Sequence, residues 1–156
     1  MITGIITGFL TAMVIGALIF FLAGPKLLFK QSKSHLSFDD TVTRIEEQAT
    51  GMGWKIPAVQ DLQATLKKFD KDVRSVKVFE ICHPDHSYKI LSRSEERVVS
   101  SMMPCRIAVY LKDDESVWIS RMNTGVVARP MSKVVRQTMS AAAKDVEKII
   151  AEVTGE

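Results

Sequence analysis

The stretch Cys82-His83-Pro84-Asp85-His86 closes one predicted strand, and Met102-Met103-Pro104-Cys105 leads into the next. These motifs hold both cysteines of the chain, two of its three histidines and two of its five prolines. Val76 to Cys82 is rich in β-branched residues and predicts a strand, as does Arg106 to Leu111. Pro84 suits the first position of a helix, because the amide that proline lacks would have no partner there. The stretch therefore predicts where two strands and a helix meet, and where chemistry is to be sought.

On the N-terminal side, Ser37 is expected to cap a helix by accepting a hydrogen bond from a first-turn amide. Gly51 and Gly53 end that helix, since glycine adopts the left-handed conformation at helix ends. The core-facing stripe of the helix is Phe38, Val42, Ile45, Ala49 and Met52. Trp54 to Val59 predicts a short strand. Asp61 is expected to cap a second helix, which buries Leu62, Leu66 and Phe69.

On the C-terminal side, the predicted strands Arg106 to Leu111 and Val117 to Met122 form a hairpin, and a long helix follows over Ser132 to Val153. The apolar stripe of that helix is Val135, Met139, Ala142, Val146, Ile149 and Val153. In the central strand, alternation places Val76, Val78, Glu80 and Cys82 on one face, which we expect to be the core face, with Glu80 near a sheet edge. Helices mixed with an antiparallel hairpin indicate an α+β fold, a small sheet with packed helices.

The N-terminal stretch predicts one transmembrane helix. No charged residue occurs from Met1 to Pro25, and Ile5 to Ala23 is almost entirely apolar. At 1.5 Å per residue this stretch spans roughly 30–35 Å, enough to cross a bilayer. No lysine or arginine precedes the apolar run, unlike in a cleaved signal peptide. Because Lys26, Lys30 and Lys33 follow it, we expect the N-terminus outside and the domain in the cytoplasm.

Small residues recur every fourth position in the predicted membrane helix: Gly4, Gly8, Ala12 and Gly16. Such a stripe allows two membrane helices to approach closely, although glycine is also common in membrane helices without pairing. The pattern favours association with a second copy or with another subunit. We divide the chain into a transmembrane anchor (1–25), a juxtamembrane linker (26–35), an α+β domain (36–130) and a C-terminal amphipathic helix (131–156).

Composition limits the classes of partner. The formal net charge of +3 is too small to indicate nucleic-acid binding, and aromatic residues at 7% provide no stacking surface for bases. Two cysteines without a Cys-x-x-Cys spacing form neither a disulfide framework nor a haem-attachment motif. The expected partners are the lipid bilayer and a second copy or a membrane-complex subunit.

The central motifs resemble those of domain-of-unknown-function family 302 (DUF302). The resemblance rests on Gly53-Trp54 after a helix, on Glu80-Ile81-Cys82-His83-Pro84 at a strand end, and on Met103-Pro104-Cys105-Arg106-Ile107-Ala108-Val109-Tyr110 at a strand start. Family members carry Cys-Asn-Pro at the first strand end and Leu-Pro-Cys at the second strand start. The resemblance covers Ser34 to Thr124 and implies a small α+β domain that often dimerises. It implies no established activity.

The chain departs from that family in two respects. His83 stands where the family usually has asparagine, and the predicted anchor and the long C-terminal helix are expected to lie outside the shared domain.

The candidate site residues are Cys82, His83, His86, Met103 and Cys105. The two cysteines are candidate catalytic residues, because a helix N-terminus beside Cys82 would stabilise a thiolate. All five are candidate ligands, because sulfur and imidazole suit zinc, copper or haem iron. Buried cysteines also pack as small apolar side chains with no chemistry. We expect Cys82 and Cys105 to lie close together, with His83 beside them.

Three functions stay open on the sequence. The first is a small membrane-anchored accessory or interaction protein, oligomeric or part of a membrane complex. The second is a metal- or haem-binding protein, and the third is a thiol-redox protein. No catalytic triad, phosphate-binding loop or carboxylate pair identifies a reaction, so the sequence leaves enzymatic activity and any cofactor undetermined.

Overall fold

We describe the protein from a computed structural model, which covers Gly8, residues 12–17 and residues 24–155. The strands are β1 (Phe29–Lys33), β2 (Lys55–Asp61), β3 (Val76–Cys82), β4 (Cys105–Leu111) and β5 (Val117–Met122). The helices are α1 (Phe38–Gly51), α2 (Leu62–Lys67), α3 (Pro84–Leu91), α4 (Thr124–Val127) and α5 (Lys133–Thr154), with a 3₁₀ segment over Ser94–Met102. The α+β fold predicted from the sequence is confirmed.

The strands form one antiparallel sheet in the order β1-β5-β4-β3-β2. Ile81 pairs with Cys105 across β3 and β4, and Phe29 pairs with Met122 across β1 and β5. Because neighbouring strands run in opposite directions, the end of β3, the start of β4, the end of β5 and the start of β1 lie together. We call this edge the site end of the sheet.

Among the described residues, the two long helices α1 and α5 pack on one face of the sheet. Ile45 and Ala49 of α1 and a row from α5 pack on Phe79, Ile107 and other strand residues. The six residues predicted as the stripe of the last helix are all buried: Val135, Met139, Ala142, Val146, Ile149 and Val153. The sequence analysis treated this helix as a separate unit (131–156). In the structure it covers much of one face of the sheet.

The predicted start and stop of α1 are confirmed. The Ser37 hydroxyl accepts a hydrogen bond from the Asp40 amide at 3.2 Å and donates one to the Asp40 carboxylate at 2.6 Å. The helix ends at Gly51, and Gly53 has a φ of 81°, a conformation in which glycine is favoured.

The predicted core face of β3 is wrong. Alternation does place Val76, Val78 and Glu80 on one face, but the face against the helices carries Phe79 and Ile81, each with no exposed surface. Both faces of this interior strand carry apolar side chains, so alternation alone cannot identify the core side. Glu80 consequently lies on the face that the helices leave uncovered.

The predicted burial of the α2 side chains is also wrong. Leu62 and Leu66 are 39% and 38% exposed, and Phe69 beyond the helix is 70% exposed. The helix has only six residues, less than two turns, and it follows the edge strand β2. A stripe of this length at the edge of a sheet has little surface to pack against.

The predicted anchor lies mostly beyond the described residues. Gly4 is not among them, and neither are residues 18–23, whereas Gly8, Ala12 and Gly16 are helical and exposed. Residues 24–28 are helical and lead directly into β1. Within Gly8, residues 12–17 and residues 24–155, no helix combines the length and the apolarity needed to cross a bilayer.

Candidate functional site

All five candidate residues line a single cavity at the site end of the sheet. The cavity has a volume of about 20 Å³. Its candidate members are Cys82, His83, His86, Met103 and Cys105. We call this space the thiol cavity. The sequence-based expectation that the two cysteines and His83 lie together agrees with this arrangement.

Chain turns at the strand ends bring these residues together. Cys82 ends β3, and His83 is the N-cap of α3, whose first residue is Pro84. His86 then lies in the first turn of the helix. On the other side, a cis peptide bond joins Met103 to Pro104 before β4 starts at Cys105. Pairing between β3 and β4 therefore fixes the distance between the two motifs.

The two thiols differ in their surroundings. The Cys82 sulfur lies 3.1 Å from the Ser87 hydroxyl oxygen, at hydrogen-bond distance. Burial raises the pKa of the Cys105 thiol to about 11, and the nearby Cys82 contributes to the increase. Both cysteines are free, and Cys105 is protonated at neutral pH.

Three aromatic rings form the other wall of the thiol cavity. The His83 and His86 ring centroids are 4.7 Å apart, and that of Trp54 lies 5.5 Å and 5.9 Å from them. His86 Nε2 lies 3.3 Å from a carboxylate oxygen of Asp145 on α5. A side-chain Cβ at Gly53 would lie 3.8 Å from His83 Nε2, so the backbone before Trp54 passes close to the imidazole.

Three ring nitrogens at this cavity are buried without a hydrogen-bond partner among the described residues: Trp54 Nε1, His83 Nδ1 and His86 Nδ1. Buried polar groups are normally satisfied, by ordered water where protein partners are absent. A volume of about 20 Å³ exceeds the roughly 10–15 Å³ that one water requires. The cavity therefore has the size for one water molecule or a small ion, and three residues that line it carry unpaired ring nitrogens.

The same geometry limits the ligands expected from the sequence. In the part of the chain that the structure describes, no group of three or more histidine, cysteine, aspartate or glutamate side chains is arranged to hold a metal ion. A haem is far larger than a cavity of about 20 Å³. The pair of thiols is the chemical feature that the arrangement supports most directly.

The sequence did not identify three members of the site. Its patterns place Trp54 at the start of a strand, Ser87 in the middle of a short helix, and Asp145 on the polar side of the last helix. Trp54 follows Gly53 in one of the motifs that carry the family resemblance, so that motif was the available signal. No sequence pattern pointed to Asp145, because its approach to His86 depends on how α5 packs across the sheet.

Comparisons with known proteins agree with the fold. The model of the family "Domain of unknown function DUF302" matches residues 30–155. An uncharacterized protein of Aquifex aeolicus (strain VF5) is 25% identical over 138 residues, which cover 86% of this chain and 89% of that protein. The crystal structure of an uncharacterized conserved protein DUF302 from Bacillus stearothermophilus superposes with a TM-score of 0.73 at 16% identity, covering 81% of this chain and 98% of that one.

The extent of the match corrects one expectation. The long C-terminal helix was expected to lie outside the shared domain, but the family match continues to residue 155 and includes it. This agrees with the packing of α5 across the sheet. The chain belongs to the DUF302 family.

Proposed function

We propose that this protein is a membrane-anchored accessory protein that assembles as a homo-oligomer through the uncovered face of its sheet. The observation that carries the proposal is the one-sided sheet: α1 and α5 pack on one face, and no described helix covers the other. Antiparallel sheets often leave one face to solvent, but such a face is then expected to be polar. Here it carries large apolar side chains.

A row of apolar and aromatic side chains crosses this face at the end opposite the thiol cavity. Val76 pairs with Tyr110, and Tyr110 pairs with Trp118, so the three stand side by side on adjacent strands. We call them the aromatic row. Each is only half-buried in the single chain. Tryptophan and tyrosine are enriched in protein interfaces, where they contribute most of the binding energy.

A second copy is the occupant that this row fits best. The three side chains of the row carry no charge, and the cations beside them, Lys112 at 3.5 Å over the Trp118 ring and Lys33 paired with Trp118, have to lie at the rim of a contact with a second copy. Two copies anchored in one membrane share the same orientation, and a two-fold axis along the membrane normal would place identical surfaces together. The stripe of Gly8, Ala12 and Gly16 would extend such a contact into the anchor.

The anchoring part of the proposal rests on the sequence. The uncharged run from Ile5 to Ala23 has the length of a membrane span, and residues 24–28 connect it to β1 without a long linker. Lys26 and Lys33 are exposed beside this connection. Positive charge at this end of a span favours the cytoplasmic side for the domain.

The test is the oligomeric state of the full chain in mild detergent, measured by analytical ultracentrifugation. Trp118→Ser should weaken self-association by about tenfold or more, since a central aromatic contact contributes roughly 2 kcal/mol. Tyr88→Ser is the matched control, because Tyr88 is 74% exposed on α3 and lies away from the aromatic row. The proposal fails if the parent chain is monomeric, or if Trp118→Ser associates as tightly as Tyr88→Ser.

A second variant in the same experiment distinguishes the contribution of the anchor to self-association from that of the sheet. Replacing Gly8 and Gly16 together with isoleucine should weaken association further, because bulk there prevents close approach of two helices. A Cβ at either position would have no neighbouring atom of the described chain within 4 Å, so the substitution makes no clash within one copy. Unchanged association of this double variant would assign assembly to the sheet alone.

We propose thiol–disulfide exchange as a second candidate function, supported by the presence of both cysteines in one cavity. In this reaction the Cys82 thiolate attacks a disulfide of a partner protein and forms a mixed disulfide, releasing one partner thiolate. The Cys105 thiol then loses its proton, displaces the second partner thiolate and completes a Cys82–Cys105 disulfide. The chain loses two electrons and two protons, and the partner disulfide is reduced to two thiols.

Alkylation rates of single-cysteine variants test this function. In Cys82→Ser, the remaining Cys105 should stay inert at neutral pH, because burial still raises the pKa of its thiol even without the contribution of Cys82. In Cys105→Ser, Cys82 should react faster than Cys105 does in Cys82→Ser at the same pH, because this function requires Cys82 to attack first. If Cys82 resists alkylation until the protein unfolds, the two cysteines have a structural role and the redox function is excluded. If a chelator is needed before Cys82 reacts, the metal-binding alternative replaces the redox function.

A further inference from the structure

A second and much larger cavity opens beside the thiol cavity. Its volume is about 290 Å³, near the lower end of the roughly 300–1,000 Å³ that small-molecule sites occupy. It shares Pro104 and Cys105 with the thiol cavity, and at the site end it is lined both by residues of the uncovered face and by Ala143, Val146 and Glu147 of α5. None of the functions considered above makes use of it.

The wall of this cavity is largely apolar, and its shape follows from the strand sequences. Ala108 and Ser120 pair across β4 and β5 and are small, whereas their neighbours Phe29, Val78 and Met122 are large. Small side chains in central strands between larger ones leave a depression in the face of the sheet. Phe29 and Met122 pair at its rim and are about half exposed, at 49% and 42%.

The charged residues of the cavity leave positive charge unneutralised. Two arginines, Arg106 and Arg121, and one glutamate, Glu147, line it. Arg121 is fully engaged, since it donates to both carboxylate oxygens of Glu147 and, at 2.9 Å, to the Ser32 hydroxyl. Lys30 also binds Glu147 at 2.9 Å. The single carboxylate is therefore shared by two cations.

Arg106 is the charge that remains free to bind a guest. Among the residues that the structure describes, no carboxylate lies within 4 Å of its guanidinium. Glu80 is its partner across β3 and β4, but the two side chains form no ion pair. Arg106 is exposed at the mouth of the cavity, so its guanidinium can reach an anion there without losing an existing contact.

We propose that this cavity binds a small amphipathic anion, with its apolar body against Val78, Ala108 and Met122 and its carboxylate on Arg106. An arginine recognises a carboxylate through two parallel hydrogen bonds, which fixes the orientation of the guest. Since one water takes up roughly 30 Å³, the volume suits a compact molecule of about ten heavy atoms. A saturated fatty acid of medium chain length has this size and chemistry.

This binding site goes beyond the accessory function and does not depend on it. The aromatic row borders the cavity on the same face, since Tyr110 and Trp118 are the next pair along from Ala108 and Ser120, whereas Arg106 lies next to Cys105 at the site end. Trp118 and Tyr110 do not line the cavity and Arg106 is not part of the row, so Trp118→Ser tests self-association and Arg106→Gln tests ligand binding separately.

The test uses octanoate as the probe and the full chain in phosphatidylcholine nanodiscs, so that detergent cannot fill the cavity. Met102 and Met122 line it, and their ¹³C-labelled methyl groups report on binding by NMR, with Met13 and Met131 outside it as internal references. Octanoate should shift the Met122 methyl resonance saturably, with a Kd on the order of 1 mM or tighter for a ligand of this size.

Variants separate the anionic contact from the apolar one. Arg106→Gln should weaken octanoate binding about tenfold and leave binding of neutral octanol unchanged, because only the carboxylate contact is lost. Ala108→Leu should abolish the binding of both by filling the depression, and an unchanged Met131 resonance, from a methionine packed against a core cluster of the domain, would show that the variant is folded. Arg136→Gln, an exposed position on α5 outside the cavity, is the control. A Met122 resonance that does not saturate, or equal octanoate affinities of Arg106→Gln and Arg136→Gln, would overturn the proposal.

Discussion

Glu147 is the shared counter-ion of two cations in the described domain. Its carboxylate accepts hydrogen bonds from Arg121 and Lys30, and the Arg121 side chain is only 6% exposed. Burial raises the pKa of Glu147, but the hydrogen bonds from these two cations outweigh burial and lower the pKa overall. The group connects α5 to β5 and β1, and so it holds the last helix to the edge half of the sheet.

Glu147→Gln should destabilise the domain at neutral pH by about 1–3 kcal/mol, because the buried Arg121 guanidinium keeps its charge and loses its counter-ion. Chemical unfolding followed by circular dichroism measures the loss. Glu152→Gln, at an exposed position of the same helix, is the control and should change stability little.

The pH dependence provides a second readout of the same variant. The folded pKa of Glu147 lies below the unfolded value of 4.5, so its contribution to stability is present above pH 4.5 and is lost as pH falls through the folded pKa. The difference in unfolding free energy between the parent and Glu147→Gln should therefore shrink as the solution is acidified. A difference that is constant from about pH 7 to about pH 3 would show that the charge of Glu147 has no part in the effect.

At the scale of elements, the sequence predicted best where a local rule determines the backbone. Pro84 identified the start of α3, Ser37 identified the cap of α1, and Val117 to Met122 was bounded correctly as a strand. In each case the residues within one turn or one strand carry the whole signal. Caps and strand periodicity need no knowledge of the rest of the fold.

Predictions that depend on packing between distant elements were less successful. The core side of β3 is decided by where α1 and α5 lie, and its alternating pattern is apolar on both faces. The site shows the same division. The sequence predicted that Cys82, His83 and Cys105 lie together, because one cysteine ends a strand and the other begins one. It did not predict that Trp54 and Asp145 join them, because those contacts depend on how β2 and α5 reach the site end.

On the scale of the whole molecule, the two cavities and the connection to the N-terminal stretch lie at the same end. Phe29 lines the larger cavity and starts β1, and residues 24–28 continue from it as a helix towards the uncharged run. If that run spans a bilayer as we propose, the site end of the sheet faces the membrane surface. An amphipathic ligand would then reach the larger cavity directly from the lipid–water boundary, and the aromatic row at the other end would remain accessible to a second copy.

The side of the membrane on which the domain lies is testable with a single introduced thiol. Asp113 is fully exposed in the turn between β4 and β5, so a cysteine there accepts a bulky maleimide without disturbing the fold. In a Cys82→Ser, Cys105→Ser background, we expect Asp113→Cys to react with a membrane-impermeant maleimide only after the cells are permeabilised, because positive charge at Lys26, Lys30 and Lys33 favours the cytoplasmic side for the domain. A cysteine introduced at Thr3 is the matched control and should react in intact cells. Labelling of Asp113→Cys in intact cells would reverse the topology, and it would also place Cys82 and Cys105 in an oxidising compartment, where a stable disulfide is expected.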